Sequence, residues 1–195
     1  MNTRHYTEAE YLAFEREAEF KHEYAQGEII AMTGSTFRHN HITSNILVAL
    51  DRQLSERCTV LAADMRVRVR RAKSYRYPDV VVVCGEPEVE DDNPGSLVNP
   101  AVLVEVASET TQQTDHTKKL REYLQLATLQ AYVLVAQNER RVEVYQRQAD
   151  GWQYVMLTGE NDDVTLTGVG ATLQISEVYR NVSFDDMPAN DDEIG

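Results

Sequence analysis

Five consecutive residues, Val80-Val81-Val82-Val83-Cys84, leave this chain little choice of local structure. Valine is branched at Cβ, which crowds a helix and suits a pleated surface. An unbroken apolar run, without polar alternation, reads as a strand buried on both faces. A second run, Ala101-Val102-Leu103-Val104, has the same character. Each carries one acid at its margin: Asp79 just before the first, Glu105 just after the second. A carboxylate at the edge of a buried strand is costly unless it is solvated, paired or bound to a metal. One such acid ordinarily marks a strand end facing water. Two of them on neighbouring strands make a place for a divalent cation.

The rest of the chain supplies elements to surround these strands. Thr7-Glu8-Ala9-Glu10 has the spacing of a capping box and predicts a helix to about Glu17. His22 to Thr33 reads as a hairpin turning at Gln26-Gly27. Ile42, Ile46, Ala49, Leu50 and Leu54 recur at helical spacing and predict a helix from about His39 to Arg57. Cys58 to Ala62 and Met65 to Arg70 read as one bent strand or a tight pair. Glu86 to Asn99 is an acidic loop. A helix capped by Thr114 or Asp115 runs to about Leu126, and Tyr132 to Ala136 is a strand. Arg141 to Arg147 and Trp152 to Leu157 alternate apolar and polar residues around Asp150-Gly151, as an edge hairpin does. Leu173 to Tyr179 is a last short element. The expected fold is therefore α/β (α+β): a mixed β-sheet flanked by helices, with an N-terminal helix-hairpin and a C-terminal β-hairpin extension. A single domain over residues 1–182 and an acidic, disordered tail over 183–195 complete the expectation.

Function classes narrow by exclusion. The chain has 195 residues, of which 42% are hydrophobic, enough for a sizeable core. No apolar run approaches the ~20 residues of a membrane span. The first ten residues lack the apolar region of a signal peptide. Cys58 and Cys84 form no CxxC or Cys/His cluster and read as buried thiols in a reducing compartment, which places the protein in the cytoplasm. No GxGxxG, GxxxxGK or GxSxG occurs, which disfavours dinucleotide, P-loop and serine-hydrolase chemistry. The net charge of −13 argues against a nucleic-acid partner until its distribution is considered. Ten acids crowd the 86–92 loop and the tail, and setting them aside leaves 22 acidic against 19 basic residues. Arg66, Arg68 and Arg70 alternate with Val67 and Val69, and so form a candidate phosphate-facing strip.

Magnesium takes oxygen ligands, commonly one or two carboxylates plus water. Asp79 and Glu105 meet that need, and the Val106 carbonyl can add an oxygen. A lysine beside the cation would orient a water or stabilise developing charge. The next helix offers Lys118 and Lys119. With Leu120, Tyr123, Leu124 and Ala127 as its core stripe, Lys118 points outward, toward Glu122. Lys119, one turn before Tyr123, reaches inward. Asp115, four residues earlier, is placed to hold its ammonium.

These residues carry a resemblance. Pro78-Asp79 followed by Glu105 on the next strand resembles the PD-(D/E)xK nuclease signature. The wider pattern is similar to a bacterial restriction-endonuclease-like family of unknown function. It runs through Tyr6 to Leu12, Glu23 to Glu28, His39-Asn40 with Asn45, Tyr77-Pro78-Asp79, Leu103 to Val106, Asp115 with Lys119, and Tyr132 to Val135. In the nuclease signature a lysine stands two residues after the second acid; here that position is Ala107, and the resemblance moves the lysine to Lys119. The family's Ser-Pro is here Ser108-Glu109. The resemblance also implies roles for Glu23, as the first acid of the signature, and for His39, as a proton carrier or phosphate contact. It implies an endonuclease using Mg²⁺ or Mn²⁺, with nucleic acid, DNA by expectation, as its partner. The alternative is a catalytically silent nucleic-acid-binding or regulatory module on the same fold. The Arg141 to Leu157 hairpin, with Trp152 and Tyr154, is the expected contact of a homodimer.

Overall fold

The structure, a computed structural model, describes residues 4–32, 34–54, 56–90, 94–107 and 114–184, the last from the backbone alone over 114–116. Helix α1 (Glu8–Glu17) begins at the expected capping box, Thr7 accepting from the Glu10 N–H while the Glu10 carboxylate accepts from the Thr7 N–H. Strands β1 (His22–Ala25) and β2 (Glu28–Ala31) form a hairpin. Its turn residues Gln26 and Gly27 have φ of 53° and 87°, the left-handed pair that matches the twist of the flanking strands. Helix α2 (Phe37–Leu54) starts two residues earlier than expected, because Thr36 Oγ1 accepts the His39 N–H and caps it.

Five strands follow: β3 (Cys58–Ala62), β4 (Val67–Val69), β5 (Ser74–Arg76), β6 (Val80–Cys84) and β7 (Val89–Glu90). Then come β8 (Ser96–Leu97), β9 (Val102–Ala107), helix α3 (Thr114–Tyr123) and β10 (Ala131–Ala136). The chain continues through β11 (Val142–Gln148), β12 (Gly151–Leu157), β13 (Asp163–Leu166), β14 (Ala171–Gln174) and the short helix α4 (Ile175–Val178).

The fold is mixed α+β, but with two large sheets where the sequence suggested one. The central sheet runs β12-β11-β10-β9-β6-β3, and the second runs β2-β1-β5-β4-β8-β7. The valine-rich β6 and β9 lie side by side, antiparallel, and buried on both faces as their composition requires. β9 and β10 are parallel, joined by the crossover that contains α3. The stretch read as one bent strand or a pair is split between sheets: β3 pairs with β6, while β4 pairs with β5 and β8. The loop over 86–99 carries the small β7–β8 pairing, and β13–β14 forms a separate ladder.

One face of the central sheet, with Val80, Val82, Val102, Val104 and Val106, packs on Ile42, Ile46, Leu50 and Leu54 of α2. Each such fully buried side chain contributes roughly 1.5–3 kcal/mol. The other face, with Val81, Val83 and Leu103, packs on Tyr123 of α3 and on Val67, Val69 and Leu97 of the second sheet. Tyr11, Tyr24 and Tyr75 form a third cluster that clasps α1 to β1 and β5. Strand β12 is an edge and leaves Tyr154 and Met156 about half exposed.

Two expectations change here. Cys58 and Cys84 are not free thiols: they face each other in the β3–β6 register and form a disulfide. The inference of a reducing compartment, which rested on free thiols, loses that support. Residues 185–195 of the expected tail lie outside the described residues, while Phe184 packs edge-on against Tyr179. Among the described residues no helix is long and apolar enough to cross a membrane.

Candidate active site

The register that pairs Val80 with Val104 puts Asp79 across from Glu105, because the strands are antiparallel. Residues opposite each other share a sheet face, with Cβ atoms about 5 Å apart. The ladder stops at Val80, and the Asp79 side chain takes over its last bond: Oδ2 accepts the Val106 N–H at 2.7 Å. The geometry of the strand pair therefore brings the two acids together.

Helices reach this point from both sides of the sheet. From α2, His39 Nε2 lies 3.3 Å from Asp79 Oδ1. His39 is held there by the Thr36 cap, whose hydroxyl donates in turn to Gln137 Oε1 after β10. From α3, Lys119 Nζ sits 3.4 Å from both Glu105 oxygens and 3.0 Å from Glu23 Oε1. Tyr123, one turn on, donates its hydroxyl to Glu105 Oε1 at 2.7 Å. Glu23, Asp79, Glu105, Lys119 and His39 thus lie in one contiguous cluster.

Behind the cluster stands a buried network that the sequence reading did not include. Arg76, fully buried at the end of β5, donates to both oxygens of Glu122 on α3 and to Glu23 Oε2 on β1. Glu122 was expected to pair with Lys118 at the surface; instead it is buried against Arg76. Two signals were available. Glu122 is three residues after Lys119, on the same helical face, and Arg76 lies directly before Tyr77-Pro78-Asp79. Glu23 is only 5% exposed and is shared between Arg76 and Lys119, so it holds the lysine in place.

The Glu105 carboxyl is raised to about 7: burial raises it most, Lys119 pulls it down, and the Asp79 and Glu23 charges raise it. Burial raises the Glu23 carboxyl too, but Lys119 and Arg76 outweigh it, and the group ends below the usual range. For His39 burial acts downward; the bond and charge of Asp79, with Glu105 and the Val106 carbonyl, overcome it and raise the imidazole. The four carboxylates Glu23, Asp79, Glu105 and Glu122 face two permanent cations, Arg76 and Lys119. With all four ionised, and before His39 is counted, two negative charges remain uncompensated.

That excess and the all-oxygen donor set suit a hard divalent cation. Among the described residues no group of three or more His, Cys, Asp or Glu is arranged to hold a metal. The candidate is accordingly a two-carboxylate site, Asp79 with Glu105, of the kind magnesium completes with water. Glu23, saturated by its two cations, sits outside that pair.

The arginine strip is corrected. Arg66 is 1% exposed and donates to Ser96 Oγ and the Pro94 carbonyl. Arg68 is ion-paired to Glu8 and Glu90, and Arg70 to Glu90. Alternation did separate Arg66 and Arg68 from Val67 and Val69, but the arginine face is covered: both guanidiniums lie over the Tyr75 ring, at 5.5 and 5.3 Å. Asp115's side chain, and all of Ser108 and Glu109, lie outside the described residues.

A match to the family described as "Uma2: Putative restriction endonuclease" spans residues 8–176. Two uncharacterized proteins of Synechocystis are similar along nearly their whole lengths. One is 36% identical over 160 residues, covering 81% of this chain and 90% of that protein. The other is 27% identical over 176 residues, covering 90% and 92%. A crystal structure titled as a "putative nuclease" from Anabaena variabilis superposes with a TM-score of 0.70 over 89% of this chain and 97% of its own. At 20% identity, that likeness speaks for the fold.

Proposed function

The chain belongs to the Uma2 family of restriction-endonuclease-like proteins, and on that premise we propose that it is a metal-dependent endonuclease hydrolysing phosphodiester bonds in DNA. The observation that carries the reading is the convergence of Asp79, Glu105 and the Lys119 ammonium at the end of the β6–β9 ladder.

Asp79 and Glu105 hold the cation, Mg²⁺ or Mn²⁺, and the Val106 carbonyl has a second lone pair to add. When bound, such an ion neutralises charge on the phosphoryl oxygens and acidifies a water. The protein's own groups do the remaining work. Lys119, held beside Glu105 and Glu23, puts an ammonium where it can orient the attacking water or stabilise charge on a non-bridging oxygen. Glu23 and Arg76 are positioning residues that fix the ammonium. His39, bonded to Asp79, carries a proton at the site's outer side. The reading includes a homodimer formed through the β11–β12 hairpin.

The test is hydrolysis of supercoiled and linear DNA with Mg²⁺ or Mn²⁺, against a chelator control. The parent protein should cleave, and Lys119→Ala should lose activity about 100-fold or more while remaining folded. Failure to cleave duplex DNA, single-stranded DNA or RNA with either ion overturns the reading. A second reading, favoured by alanine at the signature's lysine position 107, is a binding module on this fold. It predicts DNA affinity that survives in an Asp79→Ala, Glu105→Ala double variant of a parent without turnover.

A further inference from the structure

The first turn of α2 has two working sides. His39 faces Asp79, while Thr36, Phe37, Arg38 and His41 line a cleft of about 500 Å³ that also takes in Asn138 and Asn181. That volume falls within the range of sites that hold small ligands. The cleft adjoins the candidate active site through shared structure, since Thr36 caps the His39 N–H and bonds Gln137 on the cleft wall.

Three features of the cleft point to one ligand chemistry. Among the described residues its nine lining side chains include no acid, in a chain of net charge −13. Phe37 is 85% exposed, the highest value among the exposed large apolar side chains of the described residues, and its ring meets the His41 ring at 5.9 Å. Arg38 of the lining and Arg140 beside it hold their guanidiniums over the Phe184 ring, at 5.9 and 5.8 Å, and Arg140 also lies 3.9 Å from Glu160. An exposed aromatic pair is a stacking platform for a base. Guanidinium groups suit phosphate, and the amides of Asn138 and Asn181 can hydrogen-bond base edges. Paired bases keep their faces inside the helix, so a platform of this kind reads unpaired nucleotides.

We propose that this cleft binds an unpaired nucleotide of the strand whose phosphodiester reaches Asp79 and Glu105. The choice of ligand rests on the nuclease reading above. Under it, the substrate class is single-stranded or locally opened nucleic acid, and Phe37 is the residue that selects it.

The experiment is equilibrium binding of labelled single-stranded DNA, its RNA counterpart and the matched duplex, with chelator present so that no cleavage occurs. The parent should bind single strands more tightly than duplex. Phe37→Ala should weaken single-strand binding about 5- to 150-fold, the range one base–aromatic stack supplies, and leave duplex binding unchanged. Phe37→Trp, which keeps a stacking face, should restore it. The DNA and RNA arms tell which sugar is accepted. The same Phe37→Ala penalty should appear in an Asp79→Asn background, so the cleft stands or falls apart from the chemistry: a penalty without turnover sinks the nuclease reading alone. Equal single-strand binding by the parent and Phe37→Ala overturns the proposal, as does a parent that binds no single strand or prefers duplex.

Discussion

Arg76 shows how a buried residue that belongs to no motif, though it adjoins one, can hold a site together. It is the buried counter-ion of both Glu23 and Glu122, and through Glu23 it fixes Lys119. Removing one partner from a buried ionic network leaves the others charged and unpaired in a medium that cannot solvate them. Arg76→Met should therefore cost about 3–5 kcal/mol of stability in urea unfolding. A loss below about 1 kcal/mol, the level of a surface pair, would show that Arg76 does not carry this load. At this scale the sequence was only half readable. Asp79, Glu105 and Lys119 stood out because strand parity and helical phase constrain single side chains. Arg76 and Glu122 did not, since an arginine ending a three-residue strand and a glutamate on a charged helix both look like surface residues. Arg66 failed in the opposite sense: alternation put it on the polar face, and tyrosines from α1, β1 and β5 cover that face.

Elements were legible in proportion to their length and regularity. α1 with its capping box, the β1–β2 hairpin, α2, β6, β9, β10 and the β11–β12 hairpin lie close to where periodicity and turn residues put them. The short strands β5, β7 and β8 were missed, because two or three residues carry no period. They matter, since Glu90 ties β7 to Arg68 of β4 and to Arg70 just after it. For Glu90, burial acts to raise the carboxyl pKa, but its bonds to Arg68 and Arg70 outweigh it and the group titrates below the ordinary value of 4.5. A lowered folded pKa means that the unfolded chain binds the proton first as pH falls. The stabilisation is thus complete above about pH 4.5 and disappears as pH falls through the folded value. Glu90→Gln should be less stable than the parent near neutrality, by about 1 kcal/mol for a half-buried cluster whose Arg70 is mostly exposed. The two proteins should converge in acid. A difference that persists unchanged under acid conditions would mean that the Glu90 charge is not its source.

For the whole molecule, the central sheet was foreseeable and the second sheet was not. Whether β3 and β4 belong together depends on a tight turn over 63–64 and on what covers the arginine face, both tertiary facts. Net charge misled in a similar way. A total of −13 says little about a cleft whose described lining holds no acid or about a cluster where carboxylates outnumber the cations beside them. Every functional statement returns to that cluster, and the most direct measurement is anomalous scattering from crystals soaked in Mn²⁺. One manganese should appear between the Asp79 and Glu105 carboxylates, with oxygen ligands at about 2.1 Å, and should vanish in Asp79→Asn. No bound ion at saturating Mn²⁺, or an ion bound away from the acid pair, would contradict the account.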